Sequence, residues 1–233
     1  MRVFGLSDLH LSADGRKPMD VFGPQWSDHR GRIEENWRRT VAPEDLVLLS
    51  GDLSWAMRLP EARPDLDFIE SLPGAKYFIR GNHDYWISSP GRVRAALGPT
   101  THMIRFDAAV HAGVGLCGVR GWQAPGHPDY EPERDERLWR RELTRLAMSL
   151  EALQALDWAV AVAMVHYPPL DAASETEMVP MLRRAGVRHC VYGHLHGDAL
   201  RDAYEGERDG VVFRCTSADH VGFGPVLVCE VAG

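Results

Sequence analysis

Five short apolar runs in this sequence stop at acidic, amide or imidazole side chains. Val3–Leu6 gives way to Ser7-Asp8-Leu9-His10, and Leu46–Leu49 to Ser50-Gly51-Asp52. Tyr77–Ile79 leads through Arg80-Gly81 to Asn82-His83-Asp84. Ala159–Val165 ends on His166, and His189–Tyr192 on Gly193-His194-Leu195-His196. Asp8, His10, Asp52, Asn82, His166, His194 and His196 together offer seven nitrogen and oxygen donors without a thiolate. Such a set suits Mn²⁺, Fe or Zn²⁺ better than Mg²⁺ or Ca²⁺, which favour oxygen ligands. Seven donors exceed the needs of one tetrahedral ion, so the pattern predicts two divalent cations. A pair roughly 3.5–4 Å apart clamps both oxygens of an in-line displacement at phosphorus. Asp52 is the natural bridging carboxylate. Mn²⁺ is the favoured metal, with Fe, Zn²⁺, Co²⁺ or Ni²⁺ as substitutes.

Side chains from such distant positions meet only if their elements share one end of a fold. In α/β sheets, ligands bind beyond the carboxyl ends of the strands. The five runs read as strands, and Gly51, Gly81 and Gly193 mark sharp turns before donor residues. Helical patterns lie between them at Ile33–Val41, Pro64–Leu72 and Gly91–Leu97. Strand and helix alternation argues for βα units and a largely parallel early sheet. Thr101–Phe106, Ala109–His111 and Val114–Val119 follow as successive short runs and predict antiparallel hairpins. Val211–Cys215 and Val226–Val231 repeat that style at the end. The clearest helix spans Asp135–Leu156, where Trp139, Leu143, Leu146, Leu150 and Leu153 form one apolar stripe suited to packing on a sheet. Two irregular stretches, 12–32 and 121–134, are rich in Gly, Pro, Trp and His and read as active-site loops.

Composition narrows the function classes. With 233 residues, 45% hydrophobic and 25% charged, the chain reads as a single globular domain over 1–233. A net charge of −7 speaks against a nucleic-acid polymer as partner. Cys117, Cys190, Cys215 and Cys229 form no CxxC and read as reduced thiols. The opening apolar run is shorter than a signal peptide, and no stretch reaches a membrane span, so the expectation is a cytoplasmic chain without a membrane partner. The oligomeric state stays open.

The blocks Asp8-x-His10, Gly51-Asp52, Gly81-Asn82-His83-Asp84, His166 and Gly193-His194-x-His196 resemble, in order, the five blocks of the calcineurin-like metallophosphoesterase superfamily. The segments around SDLHLS and GDLSWA resemble a bacterial group of predicted phosphohydrolases. The resemblance implies an α/β fold, a four-layer αββα sandwich of two mixed β-sheets flanked by helices. It implies that Asp8, His10 and His196 hold one metal, that Asn82, His166 and His194 hold the other, and that Asp52 bridges. His83 would act as general acid or phosphate ligand with Asp84 orienting it, and a metal-activated hydroxide would attack phosphorus.

One departure bears on substrate. Many members, protein phosphatases among them, carry a further Asp three residues after the second-block Asp. Here that position is Trp55. This favours a phosphodiesterase for a small, nucleotide-like diester over a phosphomonoesterase or protein phosphatase. A non-catalytic scaffold of the same fold is a third reading, which the complete donor set opposes. Trp55 and Trp122 are candidate substrate-binding surfaces. His29, in the first irregular stretch, is placed to approach the site.

Overall fold

The computed structural model describes residues 1–171 and 174–231, so Ala172, Ala173, Ala232 and Gly233 of the expected domain lie outside it. Two sheets form the centre. The first has the order β11-β1-β2-β3-β4, built from β1 (Arg2–Gly5), β2 (Leu46–Leu49), β3 (Ala75–Phe78), β4 (Thr101–Met103) and β11 (Val226–Glu230). The second has the order β5-β6-β7-β8-β10-β9. Its strands are β5 (Ala108–His111), β6 (Val114–Val119), β7 (Val160–Val165), β8 (Val187–Tyr192), β9 (Gly206–Arg208) and β10 (Val211–Cys215). Both sheets are mixed: β11 runs antiparallel to β1, and β5 and β9 run antiparallel to otherwise parallel neighbours.

Side-chain alternation explains why these runs stack as layers. In β2 every residue is buried. Leu46 and Leu48 face the second sheet and pack with Val3, Tyr77, Val162, Met164 and Val191. Val47 and Leu49 face the other way, onto α1 (His29–Thr40), α2 (Leu59–Ser71) and α3 (Pro90–Ala96) through Ile33, Trp37, Leu66, Ile69 and Val93. β7 repeats the scheme: Ala161, Ala163 and Val165 face α4 (Pro132–Gln154) and α5 (Met178–Arg184). A strand covered on both faces reads as an unbroken apolar run, which is why these strands are plain in the sequence. The layers are therefore helix, sheet, sheet, helix, the expected αββα sandwich. Among the described residues, no helix is long and apolar enough to cross a membrane.

The structure corrects several local expectations. Thr101–Met103 does not join a hairpin; it lies parallel to β3 at the edge of the first sheet, and only β5 and β6 form the antiparallel hairpin there. β11 leaves the second sheet to pair with β1, so the two late strands belong to different sheets. Short runs carry no record of a partner far along the chain. α2 begins five residues before Pro64, because Glu61 reaches back to the backbone N–H groups of Met57 and Arg58 and caps the helix there. The irregular stretches are shorter than expected. Two 3-10 turns, Met19–Phe22 and Pro24–Trp26, order the first before α1 starts at His29, and α4 starts at Pro132.

Candidate metal centre and active site

The donor residues occupy turns that continue the sheets beyond their strand ends. Past β1 and β2 the two loops keep pairing: Asp8 N–H donates to Gly51 O at 2.9 Å, and His10 N–H to Asp52 O at 3.0 Å. The backbone there is strained. Asp8 (φ 58°), His10 (φ 46°), Asp52 (φ 55°) and His194 (φ 75°) all sit in the left-handed region that L-residues other than Gly avoid. Strain at four donor positions persists only because the surroundings over-determine it, and it clusters where side chains must be aimed. Two glycines are forced by the same crowding. A Cβ on Gly81 would overlap the Asp52 carboxylate and backbone nitrogen, and one on Gly193 would overlap Asp8 Oδ2.

All seven donors converge where the two sheets meet. His10 Nε2 lies 3.4 Å from His196 Nε2, and His196 Nε2 lies 3.5 Å from Asp8 Oδ1. On the other side, Asn82 Oδ1 lies 2.5 Å from His166 Nε2 and 3.0 Å from His194 Nδ1. Asp52 stands between, its Oδ2 3.4 Å from His166 Nε2 and 3.9 Å from His10 Nε2. Asp8, His10 and His196 form one group able to hold an ion, and Asp8, Asp52 and His166 another, so Asp8 stands in both. Asp8, Asp52, His10 and His166 are buried and make the floor, while Asn82, His83, His194 and His196 are half-buried and face the opening.

The donor set fits divalent cations. Two imidazole Nε2 atoms facing each other at 3.4 Å, beside two buried carboxylates, form a pocket that a cation satisfies fully. His10 Nδ1 is buried without a partner. Burial pushes His10 down to about 4, and burial with the neighbouring His166 pushes His194 down to about 3, so both stand neutral as ligands must. Burial also opposes charge on His166, but Asp52 and Asp8 outweigh it and raise it to about 9. His196 rises to about 10 against burial through Asp219 and Asp8. Burial favours protonated Asp52, yet His166 and His10 hold it well below the usual carboxylate range. The same field that draws protons onto these imidazoles draws a metal ion.

Other expected residues have other duties. His83 is half-buried beside the cluster, its ring centroid 5.7 Å from that of His10 and 4.4 Å from that of Trp55. Its backbone N–H donates to Asp52 Oδ1 at 2.8 Å. The expectation that Asp84 orients the His83 ring is corrected. The Asp84 carboxylate accepts the backbone N–H groups of Gly81, Asp52, Leu53 and Ser54 and the indole N–H of Trp86. Burial and the nearby Asp52 push Asp84 up to about 6 against those donors. It is a clamp joining the Asp52 and Asn82 loops. Trp55 stacks on His10 at 4.8 Å and borders the site directly. Trp122 lies one ring further out, against Tyr167, which covers His194 at 4.0 Å. His29 meets Trp26 edge-on and lies against the backbone of Leu9 and His10, and Trp26 is in turn edge-on to the rings of His10 and His196.

The sequence reading missed Asp219. Its Oδ1 lies 2.8 Å from His196 Nδ1, leaving Nε2 of that ring for a metal. Nearby, Ser217 Oγ donates to Asp8 Oδ2 at 3.1 Å. The signal was present, since Thr216-Ser217-Ala218-Asp219 ends β10 as the other polar clusters end their strands.

Known proteins resemble this chain in sequence and in fold. A probable cyclic nucleotide phosphodiesterase of Synechococcus sp. is 27% identical over 173 residues, which is 73% of this chain. The matched segment spans 59% of that relative's length. Among solved structures, the phosphopantetheinyl hydrolase of Mycobacterium tuberculosis superposes with a TM-score of 0.56 at 18% identity, covering 93% of this chain and 88% of its own. A protein of unknown function from Aquifex aeolicus gives 0.53 at 14% identity, covering 97% and 95%. These two likenesses support the fold. The calcineurin-like phosphoesterase family model matches residues 1–198, which carry all five donor blocks, and the chain belongs to that family.

Proposed function

We propose that this protein is a dinuclear metal-dependent phosphodiesterase acting on a small diester of the nucleotide class. The observation that carries the reading is the convergence of seven N/O donors from both sheets around Asp52. Two divalent cations, Mn²⁺ favoured, would supply Lewis-acid activation of a phosphoryl oxygen and of water. Asp8, His10 and His196 would hold one, Asn82, His166 and His194 the other, with Asp52 between them. His83, beside the cluster yet spare in the ligand count, gives a proton to the departing oxygen. Trp55, stacked on His10 and close to His83, offers a flat apolar wall to one substituent of the ester.

Two features favour a diester over a monoester. A dianionic terminal phosphate is commonly gripped by an Arg fork as well as by metals. Arg58 lies at the start of α2, and Arg80 and Arg120 line a separate cavity that none of the donors lines. The matched cyanobacterial relative is also named for a diester substrate. The test is kcat/KM for bis-p-nitrophenyl phosphate, p-nitrophenyl phosphate and a 3′,5′-cyclic nucleotide with Mn²⁺. The diesters should lead. A tenfold preference for the monoester, about 1.4 kcal/mol at the transition state, would reassign the enzyme to the phosphatases.

A further inference from the structure

A second concave site lies at the seam between the sheets and holds the opposite charge. A cavity of about 170 Å³ is walled by Arg80, Arg105, Arg120, Arg141 and Arg145 around a single carboxylate, Glu142. Its floor is apolar, from Ile79, Ile104, Gly118 and Val119 at the ends of β3, β4 and β6. Five guanidinium groups against one carboxylate leave a formal charge of +4, in a chain whose net charge is −7. Such a concentration of like charge in one concavity is unfavourable unless something compensates it.

Glu142 compensates one charge and organises the others. It is fully buried, and its Oε1 receives Arg145 at 2.6 Å, Arg141 at 3.5 Å and Arg120 at 3.6 Å. Several N–H groups remain unanswered. Arg80 Nε, Arg105 Nη1 and Arg120 Nε are buried atoms without a hydrogen-bond partner, against one unpartnered acceptor, Glu142 Oε2. A buried donor left unsatisfied costs about 1–3 kcal/mol, and more when charged. Burial, then the like charges of Arg80 and Arg145, press the Arg105 guanidinium below its ordinary range. Phe106 lies under both Arg105 and Arg145, at 5.3 and 4.5 Å from its ring centre.

We propose that this cavity is a metal-free binding site for a pyrophosphate-type group, built from Arg80, Arg105, Arg120 and Arg145 and preorganised by Glu142. Guanidinium forks match phosphate oxygens with paired N–H donors, and several around one concavity select a compact, multiply charged anion. The small volume and the acidic balance of the chain favour a small anion over a nucleic-acid strand. The site also touches the candidate metal centre through the backbone. Arg80 precedes Gly81-Asn82, and the Arg120 carbonyl accepts the N–H groups of His166 and Tyr167. Occupancy would therefore steady two loops that carry donors. The assignment does not rest on the phosphodiesterase reading.

The test is calorimetric titration of the 233-residue chain in excess EDTA with inorganic pyrophosphate and, separately, with a nucleoside diphosphate. Removing the cations excludes binding through a metal bridge at the metal centre, and the arginine variants locate what remains. Saturable one-to-one binding of either compound is expected, and the tighter of the two identifies whether the group arrives free or on a nucleoside. Arg105→Gln should weaken binding at least tenfold and raise the melting temperature of the unliganded protein, because it removes one of the crowded charges. A purely structural Arg105 would give the reverse, a lower melting temperature. Arg145→Lys keeps the charge but loses the fork, and should also weaken binding at least tenfold whatever the behaviour of the first variant. Absence of saturable binding of both compounds to the wild-type chain, or unchanged affinity in Arg145→Lys, overturns the proposal.

Discussion

The two sheets bring different chemistry to one seam. The first contributes both carboxylates, the amide and the spare imidazole: Asp8, Asp52, Asn82 and His83, with His10 as its one donor imidazole. The second contributes imidazoles alone to the donor set, His166, His194 and His196. Its carboxylate, Asp219, meets the ring of His196 rather than the centre of the cluster. The first sheet's loops are short, crowded and left-handed at three donors, whereas the second's are so only at His194. Negative charge thus stands on one side and neutral or proton-bearing rings on the other. Cross-seam bonds tie them: His194 N–H donates to Asp8 Oδ2 at 3.0 Å, and the Ser217 hydroxyl to the same oxygen. A cation held there would add to a seam already tied by Ser7 N–H to Thr216 O at 2.7 Å, by Ser50 Oγ to Val191 O at 3.1 Å and by apolar packing.

The strongest way to break this division is Asp52→Asn. It removes the charge that stands between both imidazole sets while keeping shape. We expect a loss of several kcal/mol of transition-state stabilisation, roughly 10³-fold or more in kcat/KM. His194→Gln, which replaces one neutral donor on the second sheet, should lose less. Equal losses, measured at saturating Mn²⁺, would show that the separation of charge between the sheets has no catalytic weight. Elemental analysis of the same preparations should find two ions per wild-type chain.

Next in size is His83→Ala. The ring belongs to the first sheet but to no donor pair, so both metals should still bind. Turnover should fall about 10²-fold, the lower end for a positioned acid, and further with alkyl leaving groups that need the proton more. An equal fractional loss on alkyl and p-nitrophenyl esters would remove the acid role and leave His83 as a phosphate ligand.

Asp219→Ala sharpens the contrast from the other side. A carboxylate on the far nitrogen of a metal-binding histidine fixes its tautomer and raises its basicity, and its loss typically reduces metal affinity 10–100-fold. Titration with Mn²⁺ should show that weakening while kcat recovers at saturating metal. A kcat that stays low would give Asp219 a part in the reaction beyond holding His196.

How far these features were legible depends on whether their cause is local. β2 and β7 could be read directly, since strands covered on both faces are unbroken apolar runs. The α4 stripe likewise follows from its spacing. The sheet membership of β4 and β11 could not be read, because it depends on partners far along the chain. In the site, donor types and their order were plain. The clamp made by Asp84 was not, because Asp beside a histidine looks the same whether it bonds the ring or the backbone. Asp219 escaped because the polar tail of β10 contains no repeated donor spacing.

The smallest expected effect concerns a charge away from the seam. Among the described residues Lys76, in β3, is the only buried charged side chain within a strand. It points to the end of α2, where its ammonium donates to Leu72 O at 2.7 Å and to Thr100 Oγ1 at 2.6 Å. A cation suits the carbonyls at a helix C-terminus. Burial nevertheless outweighs the help of Glu70 and pushes Lys76 down to about 8. Between about 8 and the ordinary value of 10.5 the unfolded chain keeps a proton that the folded chain has released. Stability from this group therefore rises with pH across that window, since the unfolded state binds more protons there. Lys76→Met gives β3 the uniformly apolar character of β7 and abolishes the titration. Melting of both proteins from pH 7.5 to 10 should show wild type gaining on the variant by about 2 kcal/mol, or roughly 4–8 °C at this size. A constant gap would mean that the helix-end carbonyls keep Lys76 protonated throughout, and that the first sheet carries its buried cation without penalty.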